Sequence, residues 1–182
     1  MNKIEQIKSY PYRFVQKINP TPSDCFLHKL LYDFKSGKSK YRYWVILECY
    51  EHNIYAIKFH LKSDKNNKLK YNRLTNLGEF RPIINTCVNI VLDVYKKEAS
   101  ASFGFIGSNT MTDKFSEIKS DTKRYHIYKR LMVTYFSDER FKHIADKQKS
   151  SYMLLRKSEI EKNPTLESDI IKLFAFLYSE LS

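Results

Sequence analysis

The chain has 182 residues, with 32 Lys and Arg against 20 Asp and Glu, so its net charge is +12 and its pI about 9.5. Apolar residues make up 42% and include 14 Tyr and 12 Phe, which excludes a disordered chain and supports a folded core. No apolar run reaches the roughly 18 residues of a membrane span, and MNKIEQIKSYPYRF lacks the apolar stretch of a signal peptide, so a cytoplasmic protein is expected.

Residues 1–24 are polar and then punctuated by proline (YPYRF, NPTPSD), which predicts an arm or short helix ahead of one α+β domain over 25–182. FLHKLLYDF (26–34) and YRYWVILECYE (41–51) read as strands around a turn at KSGKSK. HN (52–53) reverses the chain into IYAIKFHLK (54–62), where Tyr55, Ile57, Phe59 and Leu61 share a face. After a long polar connection, FRPIINTCVNIVLDVYKKE (80–98) carries one apolar stripe at helical spacing, with Pro82 tolerated in the first turn. ASFGFI (101–106) is a short buried strand. Asp121 or Thr122 can cap a helix over 123–136. SYMLLRK (151–157) is a last strand. NPTLESDIIKLFAFLYSEL (163–181) is an amphipathic C-terminal helix with Asn163 as its cap. The expected fold is α+β, an antiparallel βββ meander followed by α-β-α-β-α, with helices packed on a mixed sheet.

A right-handed crossover would lay the 101–106 strand parallel to the third meander strand. Three basic loops would then meet at one end of the sheet. The charge is uneven: segment 35–73 has 10 bases and 3 acids, and segment 114–157 has 12 and 5, so each carries +7. The candidate anion-binding residues are Lys35, Lys38, Lys40 and Arg42 in the first loop and Lys65, Lys68, Lys70 and Arg73 in the second. Lys123, Arg124, His126, Lys129 and Arg130 follow on the third, and of these Lys123, His126 and Arg130 fall on one helical stripe. Tyr41, Tyr43, Tyr71 and Tyr125 lie beside these bases, where exposed rings would stack on nucleobases and buried rings would be core. The N-termini of both middle helices point to the same end and offer N–H groups to phosphate.

Other chemistry finds little footing. Cys25, Cys49 and Cys87 form neither a disulfide framework nor a zinc pattern, and Cys87 sits on an apolar helix face. The five histidines are scattered, and neither a Walker loop nor a dinucleotide fingerprint is present. No metal or cofactor is expected from these residues.

TNLGEFRPIINTCV (75–88) and FIGS…TKRYHIYKR (105–130) resemble an uncharacterised family of small bacterial proteins. The matching positions are Asn76, Gly78, Phe80, Thr86, Gly107, Ser108, Thr122, Arg124 and Tyr128. That resemblance implies a fold and no activity. The element order is also similar to the central part of GNAT-type acyltransferases. There, a glycine-bearing loop ahead of the helix holds the pyrophosphate of acyl-CoA. The corresponding stretch here is RLTNLG, with Asn76 in place of the first glycine, and Phe80 and Pro82 crowd the helix start. This likeness implies Arg73, Asn76 and Gly78 at the cofactor and Tyr125 or Tyr128 as general acid. Charge and the lack of a catalytic set lead the functional expectation to a non-enzymatic basic protein that binds RNA, DNA or a ribonucleoprotein. A phage or mobile-element factor inhibiting a nucleic-acid-guided, CRISPR-type defence complex belongs to that class. An acyl-CoA-dependent N-acyltransferase is the alternative, and a toxin–antitoxin component acting on a protein partner is a further one.

Overall fold

A computed structural model of the chain describes residues 8–73, 78–112 and 115–179. The predicted meander is present, with one more strand than expected. Strands β1 (Tyr12–Ile18), β2 (His28–Lys35), β3 (Arg42–Tyr50) and β4 (Ile54–Leu61) pair antiparallel in chain order. The arm expected over 1–24 therefore includes an edge strand, and residues 1–7 lie outside the described ones. β1 escapes sequence reading because five of its seven residues are exposed, so no apolar alternation marks it. Arg13 and Lys17 suit an unpaired edge, where charge discourages pairing with another chain.

The chain crosses from β4 through helix α1 (Phe80–Lys97) to strand β5 (Ser102–Ile106), which lies parallel to β4. A small hairpin, β6 (Met111–Thr112) with β7 (Phe115–Ser116), follows. Helix α2 (Lys123–Tyr135) leads to β8 (Phe141–Asp146) and β9 (Ser151–Arg156). β8 is a second edge strand absent from the sequence reading, because its short run FKHIAD holds only two large apolar residues, Phe141 and Ile144, three positions apart and so off the two-residue period of a strand. Helices α3 (Lys157–Lys162) and α4 (Leu166–Ser179) complete the described chain. The seven-stranded mixed sheet runs β1-β2-β3-β4-β5-β9-β8.

One face of the sheet is buried under α1 and α2, around Val45, Leu47, Ile84, Val88, Phe103 and Leu154. α4 packs on the other face, where Ile170 and Phe174 meet Ala56, Met153 and Leu155. Gly104 permits that approach, because a Cβ there would enter the Phe174 ring. α4 starts two residues past its expected first helical residue, Pro164. Pro164 and Thr165 form a turn in which Asn163 Oδ1 accepts from the Thr165 N–H at 3.2 Å. Among the described residues no helix is long and apolar enough to cross a membrane.

Candidate ligand-binding site

The register places three connections at one end of the sheet: the 36–41 turn, the exit of β4 at 62–73, and the exit of β5 at 107–122. The β4–β5 pairing stops short of that end. It holds for Ile54 with Ser102, Tyr55 with Phe103 and Ala56 with Gly104, and then the strands part. The gap is a cavity of about 290 Å³. Ile57 and Phe59 of β4 line it, facing Phe105, Ile106 and Ser108, with Val88 and Val91 of α1 and Tyr128 and Met132 of α2 above. From the other side of the sheet, Leu177 of α4 reaches the same space.

Arg124 guards the mouth. Its guanidinium donates to the carbonyls of Tyr71 and, at 2.8 Å, Arg73, while its buried Nε has no partner among the described residues. The clamp ties the start of α2 to the loop leaving β4. Tyr71 packs edge-on to His60, and burial, aided by the charge of Glu48, pushes its hydroxyl up to about 12. Tyr128 is buried against Phe105, with ring centroids 4.8 Å apart. Burial raises its pKa, outweighing the opposing charge of Arg124, so the hydroxyl stays protonated and can donate at neutral pH. Tyr125, the other candidate acid, is buried beside the cap of α2 and does not line the cavity.

The β5 exit and α2 are locked together by Gly107 and Thr122. The Thr122 hydroxyl donates to the Gly107 carbonyl at 2.5 Å and accepts from the Tyr125 N–H at 3.2 Å, closing the predicted cap. A Cβ on Gly107 would collide with the Tyr125 backbone. Ser108, Arg124 and Tyr128 line the gap, and the Gly107–Thr122 bond holds the β5 exit against α2. Thr86 is used elsewhere, accepting from the Tyr10 N–H at 2.8 Å.

The N-terminus of α2 is not the open phosphate site that charge alone led one to expect. The Glu117 carboxylate accepts from the Lys123 N–H at the start of α2 and from the Thr110 N–H, both at 2.9 Å. Ahead of α1, Glu79 turns away from its helix and accepts from the N–H groups of Lys38 and Ser39 and the hydroxyls of Ser39 and Tyr10. Burial alone would raise its pKa, but these donors outweigh it and hold the carboxyl at about 2. Both acids were missed in the sequence, since the donors of Glu79 lie far earlier in the chain and those of Glu117 are backbone N–H groups, which no residue type marks. Gly78, just before Glu79, adopts φ +64°, a conformation glycine takes without strain. Asn76 lies outside the described residues.

The expected basic cluster divides into engaged and open groups. Arg42 pairs with buried Asp33 at 2.8 Å, Arg73 with Asp64 at 2.7 Å, and His126 with Asp121 at 2.7 Å. Lys70 donates to the Lys65 carbonyl at 3.1 Å. Lys35, Lys38, Lys40, Lys65, Lys68, Lys123, Lys129 and Arg130 are exposed and form no ion pair among the described residues. Tyr43 and Tyr125 are buried in the core, and Tyr41, at 47% exposure, is the candidate ring open to stacking. Cys87 is buried at the cavity wall, and burial pushes its thiol pKa up, which makes it a poor nucleophile. Among the described residues no group of three or more His, Cys, Asp or Glu could hold a metal ion.

No family model matches the chain, and neither a curated protein nor a solved structure does.

Proposed function

We propose that the protein binds an acyl-CoA-type thioester between β4 and β5 and transfers the acyl group to an amine, as GNAT-type enzymes do. The early end of the β4–β5 ladder carries this reading. Backbone N–H and C=O groups facing a gap inside a sheet need partners. An extended ligand with amide groups, such as a pantetheine arm, supplies them in the way an added strand does. The parallel β4–β5 junction beside a crossover helix further supports the reading. Arg73 and Gly78 are the residues proposed to meet the phosphates, with Arg73 exchanging Asp64 for them, and exposed Lys65 and Lys68 would draw them in. In the transfer, the amine forms a C–N bond as the C–S bond breaks. Tyr128 gives its proton to the leaving thiolate and is recharged by the proton the amine loses.

The test is a thermal melt with acetyl-CoA. Saturation should raise the Tm. No shift at millimolar acetyl-CoA would end this reading.

A second reading rests on the α2 surface, where Lys123, Lys129 and Arg130 stand exposed and free of ion pairs among the described residues. This basic surface would hold the phosphates of RNA or DNA. Fluorescence anisotropy with a single-stranded RNA should show affinity falling steeply with salt, and reversing the three charges should remove binding. A protein that fails to bind the RNA at low salt does not have this function.

A further inference from the structure

A second, larger cavity of about 750 Å³ opens on the α4 side of the sheet. Its volume lies within the range of small-molecule sites. Ile106, Ile144 and Met153 of the strands and Ile171, Phe174 and Ala175 of α4 form an apolar trough. The rim is different in kind. Lys119, Lys147 and Lys149 surround it, against one acid, Asp146. Asp146 is turned to its own turn, with Oδ1 accepting from the Lys149 N–H at 3.0 Å. Lys147 reaches Asp121 at 3.1 Å, whereas Lys119 and Lys149 form no ion pair among the described residues. The cavity thus joins an apolar floor to a cationic edge.

We propose that this cavity binds an anionic amphiphile, a medium-chain alkyl carboxylate, with its tail along α4 and its head among Lys119, Lys147 and Lys149. An amine is disfavoured by the same three charges. The tail is held by burial of apolar surface, so affinity should rise roughly fourfold per methylene until the trough is full. The cavity shares Tyr71, Ile106 and Ser108 with the β4–β5 gap, but the proposed ligand does not depend on what fills that gap.

Isothermal titration with decanoate, octanoate and decylamine tests it. One decanoate should bind saturably, octanoate more than tenfold more weakly, and decylamine not detectably. Ala175→Trp places a ring in the trough from an exposed helix position and should abolish decanoate binding. Lys147→Glu with Lys149→Glu, both on the surface, should weaken it at least tenfold. Melting curves check that each variant folds, and the acetyl-CoA shift measured on the same variants keeps the two sites apart. The proposal is overturned if decanoate does not saturate, if decylamine binds as well, or if both variants bind decanoate like the parent. Loss of the acetyl-CoA shift alone overturns the acyltransferase reading and leaves this one standing.

Discussion

The two edges of β4 have different fates. On one side it pairs with β3 over eight positions, from Tyr50–Ile54 to Tyr43–Leu61. On the other it meets β5 for three and then diverges. A three-residue turn, Glu51–Asn53, joins β3 to β4, so the register is set locally and every later pair follows. β5 is delivered by a long crossover through α1, and nothing local holds its far end to β4. Tyr128, Phe105 and Tyr71 occupy the space around the divergence, and Arg124 bridges its mouth. A closed edge builds stability, and the open edge beside it leaves a cavity.

Truncation should separate the two edges most sharply. Leu47 is fully buried on the β3 side, and Leu47→Ala should cost about 3 kcal/mol in urea unfolding. Ile57→Ala on the open side, where the side chain faces a cavity, should cost about 1 kcal/mol. Equal losses would show that both edges are packed alike. Tyr128→Phe tests whether the open edge is chemical. It should lower acetyl transfer about 100-fold while the acetyl-CoA shift in Tm persists; unchanged turnover would remove the acid role.

Glu79 fastens the 36–41 turn at the same end, and Glu79→Gln should lose about 2 kcal/mol at pH 7. The folded pKa, about 2, lies below the ordinary 4.5, so ionised Glu79 stabilises fully above pH 4.5 and progressively less as pH falls toward 2. The gap between parent and variant should therefore close over that window, which urea midpoints at several pH values would show. Thr122→Ala should have the smallest effect, about 1 kcal/mol in melting curves, with Thr122→Ser recovering most of it.

The strongly patterned elements were legible. β3, β4, α1 and α2 fall within a residue or two of their expected bounds, since each buries a stripe at its own period. β1 and β8 were not: β1 is mostly exposed, and the two large apolar residues of β8, Phe141 and Ile144, are three positions apart and off the strand period. At the candidate site, the Gly107–Ser108 exit, Thr122, Arg124 and Tyr128 stood out in the sequence, but as parts of a basic surface or a core helix. Arg124 shows why the role was hidden. Its charge reads as a phosphate ligand, yet its nearest acceptors are carbonyls more than fifty positions earlier in the chain.

The sequence by itself determined the α+β class, the meander, the parallel crossover and the gathering of three basic loops at one end. These follow from periodicity, short turns and the handedness of the crossover, which are properties of neighbouring residues. Only the tertiary structure decided where the β4–β5 ladder stops, that Glu79 and Glu117 sit within the basic end, and that α4 encloses a second cavity. Those depend on side chains distant in sequence competing for the same space and the same hydrogen bonds.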